Sequence, residues 1–143
     1  MAGICFFYED PDVDVWSGRG FDAWNYASKL AGDIDTAFVV NLTDQSLQTF
    51  DQRIDFRVFD SLVDAEAAMA GAKCYVTCPW NAGNQTSAYD FDHAGVGFYI
   101  FGPASGWHHA IDGVCLPQAG GGAVHAVHAA TALMFTRYWS VNR

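Results

Sequence analysis

The last third of the chain constrains its fold most. Residues 96–101 (VGFYIF) form an apolar strand pattern, Gly102 and Pro103 turn it, and after a short loop a second, very short strand pattern follows at 114–116. Pro117 stops that strand, and a turn of Gly120, Gly121 and Gly122 feeds a long alanine-rich helix. Two strand ends and one helix start therefore lie close together in sequence. In α/β proteins ligands bind at such places, because loops leaving the carboxyl ends of strands offer free backbone N–H and C=O groups. Ala123, Ala126, Ala129, Ala130 and Ala132 keep the helix thin, so that another backbone can pack tightly against it.

Upstream, residues 3–8 (GICFFY) and 36–40 (TAFVV) are continuous apolar runs, the pattern of parallel strands buried on both faces. Residues 54–59 (IDFRVF) alternate apolar and charged side chains, which predicts a strand with one exposed face near a sheet edge. A further strand is expected at 72–77 (AKCYVT). Helices are expected at 21–31, stopped by Gly32, and at 61–70, where Ser61 can cap and Asp64 stands three residues on. Residues 43–52 suit a short polar helix, and 81–93 read as loop. The alternation predicts an α/β fold: a mostly parallel sheet with helices on both faces, in one domain spanning 1–143.

Composition narrows the function. A chain that is 51% hydrophobic and 15% aromatic is globular, with apolar surface to spare for a partner chain. Its net charge of −9 comes from 7 Lys and Arg against 16 Asp and Glu. Proteins that grip RNA with their own surface present a basic patch, because neutralising phosphates supplies most of the non-specific affinity. Only Arg19, Lys29, Arg53, Arg57, Lys73, Arg137 and Arg143 could serve, although a cluster formed across a dimer remains open. Cys5, Cys74, Cys78 and Cys115 sit largely in expected core strands, so reduced thiols in a soluble cytoplasmic protein are expected. No apolar run approaches the roughly 20 residues that span a bilayer. Neither a membrane nor DNA is an expected partner.

The C-terminal stretch resembles the SPOUT superfamily of RNA methyltransferases, in its SpoU/TrmH branch. That family's second motif is a strand ending in Gly, commonly with Pro or Asn and then Glu after it and another Gly further on; here it reads Phe98-Tyr99-Ile100-Phe101-Gly102-Pro103-Ala104-Ser105-Gly106. Its third motif is a short strand ending in hydrophobic-Pro, then Ser-Leu-Asn opening a small-residue helix; Val114-Cys115-Leu116-Pro117 supplies the strand, and Ala123-Val124-His125 falls where Ser-Leu-Asn would be. A first motif of Pro, Asn, Gly and Arg is loosely matched by Pro11, Gly18 and Arg19, with poor spacing. The polar signature departs from the family, with Ala104 in place of Glu and His125 in place of Asn.

The resemblance implies a C-terminal trefoil knot holding S-adenosylmethionine, and a homodimer formed through the C-terminal helix. It implies a cofactor cradle of Thr77, Cys78, Phe101, Gly102, Pro103, Leu116, Gln118, Gly122 and Ala123, largely through backbone groups. Arg19 becomes the candidate for orienting or activating an RNA acceptor, and His125 a second candidate base. The implied reaction is methyl transfer to tRNA or rRNA, on a ribose 2′-hydroxyl or a base.

Other constellations are weaker. His125 and His128 lie one turn apart, with His108, His109 and Cys115 near in sequence, but no second paired ligand motif accompanies them, so no metal site is expected. Cys78 follows a strand as a nucleophile could, or is simply a buried small side chain. The three glycines lack the Lys and Ser or Thr of a phosphate loop. Two functions remain in view: an S-adenosylmethionine-dependent RNA methyltransferase, and a diverged dimeric protein that keeps the fold and binds an adenosine-type ligand or a protein partner without methylating RNA.

Overall fold

A computed structural model describes residues 2–7, 34–40, 55–102, 106–116 and 126–141. Its strands are β1 (Ala2–Phe7), β2 (Ile34–Val40), β3 (Asp55–Phe59), β4 (Ala72–Thr77), β5 (Gln85–Ser87), β6 (Val96–Phe101) and β7 (Gly113–Cys115). Two α-helices, α1 (Leu62–Ala68) and α2 (Ala126–Val141), and a 3-10 turn at His93–Gly95 complete the described elements. The strands form one sheet in the order β3, β2, β1, β6, β4, β7, β5. Every neighbouring pair is parallel.

The apolar runs take the central positions because only there does a strand bury both faces. β1 is buried at every residue but Phe7, and it pairs with β2 on one side and β6 on the other. Ile4 and Phe6 join Val39, Val76, Tyr99 and Phe101 in one apolar cluster, completed by Ala130, Leu133 and Met134 of α2. Cys5 joins Phe38, Phe98 and Ile100 in a second, with Ala65 of α1 and Trp107. β3, whose residues alternate, lies at a sheet edge as expected and keeps Asp55, Arg57 and Val58 exposed. There the Arg57 guanidinium lies 5.5 Å and 5.4 Å from the rings of Phe38 and Phe59.

α1 begins as its sequence predicts: Ser61 is extended and its hydroxyl accepts from the Asp64 N–H at 3.2 Å. It ends earlier than expected, with Met69 already extended. The return into β4 depends on two glycines. Gly71 has φ +79°, and a Cβ on Gly97 would stand 2.6 Å from the Ala70 carbonyl oxygen, so the turn passes against the start of β6 only without side chains.

One reading is corrected. Residues 81–93 are not loop throughout, because Gln85–Ser87 forms a strand parallel to β7 at the sheet's other edge. Its three polar residues carry no apolar periodicity, and the Gln85 side chain anchors them instead. Expected helices at 21–31 and 43–52 lie outside the described residues.

Candidate functional site at three strand ends

The carboxyl ends of β6, β4 and β7 lie side by side. Val76 pairs with Phe101 on one flank and with Val114 on the other, and Thr77 pairs with Cys115. The next residues of the three strands, Cys78, Gly102 and Leu116, therefore leave the sheet from neighbouring positions. Sequence spacing alone had brought only two of these ends together.

Trp107 lies against this edge. A Cβ on Gly102 would stand 2.6 Å from its indole, so the ring packs directly on the glycine backbone. The ring stacks on Phe7 at 5.6 Å and meets Tyr75 edge-on at 5.7 Å, and its N–H donates to the Val76 carbonyl at 3.0 Å. Indole area buries against β1, β4 and β6 while its one polar atom is satisfied.

Two amides fasten the loops that leave β4 and β6. The Asn81 side chain, buried, accepts from the Trp107 backbone N–H at 2.7 Å and donates to the His109 carbonyl at 3.3 Å. The Gln85 amide nitrogen reaches the carbonyls of Ile111 at 2.8 Å and of Asn81 and Ala82 at 3.3 Å. Its oxygen accepts from the Thr77 hydroxyl, which also has the Val114 carbonyl at 3.5 Å. Thr77 is thus bound inward, and what it offers a ligand is backbone. Gly106, at φ +94°, lets its loop pass close to Asn81, Cys78 and Trp80.

Cys78 is buried, and its thiol is pushed up chiefly by burial and further by the neighbouring Cys115. A nucleophilic cysteine needs the opposite shift, so burial favours packing over attack as the reading of Cys78. Burial likewise raises Cys115, against a lowering from its own backbone, and pushes Cys5 and Cys74 up to about 12. All four are free thiols.

Beyond Leu116 opens a hollow of about 510 Å3, lined by Tyr89, Leu116, Ala132, Phe135, Thr136, Trp139 and Ser140. Its size falls within the roughly 300–1,000 Å3 of small-molecule sites. Among the described residues no group of three His, Cys, Asp or Glu is placed to hold a metal, and no helix is long and apolar enough to cross a membrane.

Of the expected site residues, Thr77, Cys78, Phe101, Gly102 and Leu116 come together here, with the Phe101 side chain turned into the core. Pro103, Gln118, Gly122, Ala123, Arg19 and His125 lie outside the described residues. His128 is exposed on α2. Sequence reasoning missed Asn81, Gln85 and Trp107. The Gly106-Trp107 pair was the one available signal, a bulky ring beside a residue with no side chain.

No protein-family model matches the chain, and no curated protein matches it by sequence. Solved structures do match it. A TrmH/SpoU tRNA modifying enzyme from A. aeolicus is 11% identical with a TM-score of 0.66, over 98% of this chain and 75% of that one. An S-adenosylmethionine-bound rRNA methyltransferase from Sinorhizobium meliloti is 15% identical with a TM-score of 0.61, over 95% and 55%. The SpoU methyltransferase AviRb from Streptomyces viridochromogenes, in complex with the cofactor S-adenosylmethionine, is 17% identical with a TM-score of 0.61, over 98% and 60%. The fold is therefore SPOUT-like, as the C-terminal motifs had implied.

Proposed function

We propose that the chain is an S-adenosylmethionine-dependent RNA methyltransferase acting on tRNA or rRNA, with a ribose 2′-hydroxyl or a base as acceptor. The observation that carries this reading is the alignment of the β6, β4 and β7 ends, within a fold shared with SpoU/TrmH enzymes. In this reading residues 1–143 form one domain with helices over both sheet faces and a C-terminal trefoil knot. Two copies pair through α2, where Phe135, Tyr138, Trp139 and Val141 are exposed apolar residues. Free thiols suit the reducing cytoplasm.

The described residues fit the adenosyl part of the cofactor. Thr77, Cys78, Phe101, Gly102 and Leu116 include no charged side chain, as suits a flat, neutral base read by backbone groups and covered by apolar ones. Pro103, Gln118, Gly122 and Ala123 complete the cradle. S-adenosylmethionine supplies a sulfonium methyl for in-line transfer, so the protein's share is to position the acceptor and take its proton. Arg19 orients or activates the acceptor, and His125 is the second candidate base, because imidazole is the side chain suited to moving protons near neutral pH.

A second reading is favoured by Ala104 and His125, which stand where the resembling enzymes carry Glu and Asn. There the cradle binds an adenosine-type ligand or the dimer binds a protein, and no methyl group moves.

Isothermal titration with S-adenosylmethionine and S-adenosylhomocysteine separates these outcomes, with Gly102→Ala as the perturbed site. In that variant the new Cβ must displace Trp107, so micromolar binding by the wild type is expected to weaken sharply while circular dichroism stays native. Methyl transfer to unmodified tRNA or rRNA then supports the enzyme. Binding without transfer supports the second reading, and a folded protein that binds neither ligand defeats the methyltransferase proposal.

A further inference from the structure

β4 has a neighbouring strand along its length on one side only. It pairs with β6 from Ala72 to Val76, but β7 begins at Gly113 and meets it only at Val76 and Thr77. The first half of β4 therefore borders a notch in the sheet. A Cβ on Gly113 would stand 2.5 Å from the Tyr75 carbonyl oxygen, so that carbonyl faces β7. Successive residues of a strand turn their N–H and C=O groups to opposite sides, which points those of Lys73 the same way as those of Tyr75, into the notch.

The notch is a hollow of about 280 Å3 whose lining includes Lys73, Asn84, Thr86, Phe91, Asp112 and Val114. Val114 belongs to the apolar core and half-buried Phe91 packs against that core, which gives the hollow an apolar wall. Lys73 and Asp112 are exposed charges of opposite sign, and among the described residues they form no ion pair with each other. The Asn84 N–H donates to Asp112 Oδ1 at 2.8 Å, which fixes the carboxylate and engages one of its two oxygens. The Asn84 amide and the Thr86 hydroxyl add neutral donors and acceptors.

The two charges decide the ligand class. A simple anion would gain Lys73 and be repelled by Asp112, and a simple amine would gain Asp112 and be repelled by Lys73. A molecule with both an ammonium and a carboxylate satisfies both. The volume lies just below the roughly 300–1,000 Å3 of drug-sized sites, which suits a smaller molecule. Its apolar part has Phe91 and Val114 to lie against.

We propose that this notch binds a free α-amino acid with an apolar side chain, its carboxylate on Lys73, its ammonium on Asp112 and its side chain against Phe91 and Val114. The notch lies at the amino end of β4, whereas the cofactor cradle lies at the carboxyl end, so the inference stands apart from the methyltransferase reading.

Isothermal titration of the full chain with L-leucine, L-methionine and L-phenylalanine tests this. At least one is expected to bind at about millimolar affinity or tighter. Lys73→Gln and Asp112→Asn are each expected to weaken that binding about fivefold, the upper end for one exposed ion pair. Asp112→Asn keeps an oxygen to accept from the Asn84 N–H, and Lys73 is exposed, so circular dichroism of both variants should stay native. The carboxamide of the same amino acid probes the site without any substitution: it is expected to bind the wild type about fivefold more weakly than the acid, and to bind Lys73→Gln no worse than the wild type. No binding by any of the three amino acids overturns the proposal. Binding that neither substitution weakens overturns it too, by placing the ligand elsewhere, and a carboxamide that binds as tightly as the acid removes Lys73 from any such site.

Discussion

His93 is buried between two groups that leave it one comfortable protonation state. Its Nε2 lies 2.7 Å from the Ala88 carbonyl, which can only accept, so that nitrogen carries the proton. Its Nδ1, 2.9 Å from the Tyr99 hydroxyl, then accepts from it, and the same hydroxyl accepts from Arg137 Nη1 at 3.1 Å. Arg137 also donates to the His93 carbonyl at 2.7 Å, so one chain of bonds ties α2 to the 3-10 turn and β6. A second proton would turn Nδ1 into a donor facing a hydroxyl already engaged by a guanidinium. The His93 pKa is accordingly lowered: burial is the largest cause, the Ala88 carbonyl opposes it, Arg137 reinforces it and Asp92 opposes it. A lowered histidine pKa means that the unfolded chain binds the extra proton first, so this contribution is complete above the unfolded value of 6.5 and is lost as pH falls below it. Thermal midpoints measured from pH 7 down to 5 should therefore fall, and the fall should be shallower in His93→Gln. Equal slopes in the two proteins would show that His93 titrates normally. The Arg137 bonds of this network were not legible in the sequence, nor was the Asn81 and Trp107 pair, because residues 26 to 44 apart meet through topology rather than spacing. Gly102 was legible, since a Gly-Pro pair after an apolar run marks a strand end wherever it occurs.

At the scale of elements, the buried strands were the easiest to read. β1, β2 and β6 carry apolar runs that match central parallel strands, β4 was expected after the Gly71 stop, and the alternation in β3 placed it correctly at an edge. β5 escaped because QTS joins β7 through backbone and one glutamine side chain, with no apolar residue to report it. The junction of α1 and β4 shows a constraint between these cases. Gly97 is visible in the sequence as a gap in an apolar strand, but its purpose is visible only in the fold, where 70–72 crosses it. A Cβ there would meet three backbone atoms, at 2.6 Å from Ala70 O, 2.8 Å from Gly71 Cα and 3.0 Å from Ala72 N. Backbone cannot swing aside as a side chain can, so Gly97→Ala should cost about 1–3 kcal/mol, the usual range for overpacking. Gly95→Ala is the control, because nothing lies within 4 Å of its added carbon. Urea denaturation of both variants checks the pair, and a Gly97→Ala midpoint equal to that of Gly95→Ala would mean that the turn yields freely.

Across the whole molecule, local patterns predicted a parallel sheet but not the order of its strands. That order places β6 between β1 and β4, and β7 beyond β4, and in doing so aligns the three ends of the candidate site. Net charge, by contrast, is read directly from the sequence, and its consequence belongs to the entire fold. Sixteen Asp and Glu against seven Lys and Arg leave an excess of nine negative charges on a chain of 15.6 kDa. Folding draws those carboxylates together, so self-repulsion opposes the compact state more than the expanded one. Salt weakens this term as the screening length falls from about 10 Å at 0.1 M to about 3 Å at 1 M. The thermal midpoint is therefore expected to rise as NaCl increases from low concentration to 1 M, with most of the gain below the point where the screening length matches the spacing of surface charges. Chloride suits this test because sulfate strengthens apolar burial in its own right and would raise the midpoint of a neutral protein too. A midpoint that stays flat or falls over that range would mean that favourable ion pairs outweigh the excess charge, and that the acidic surface is locally balanced.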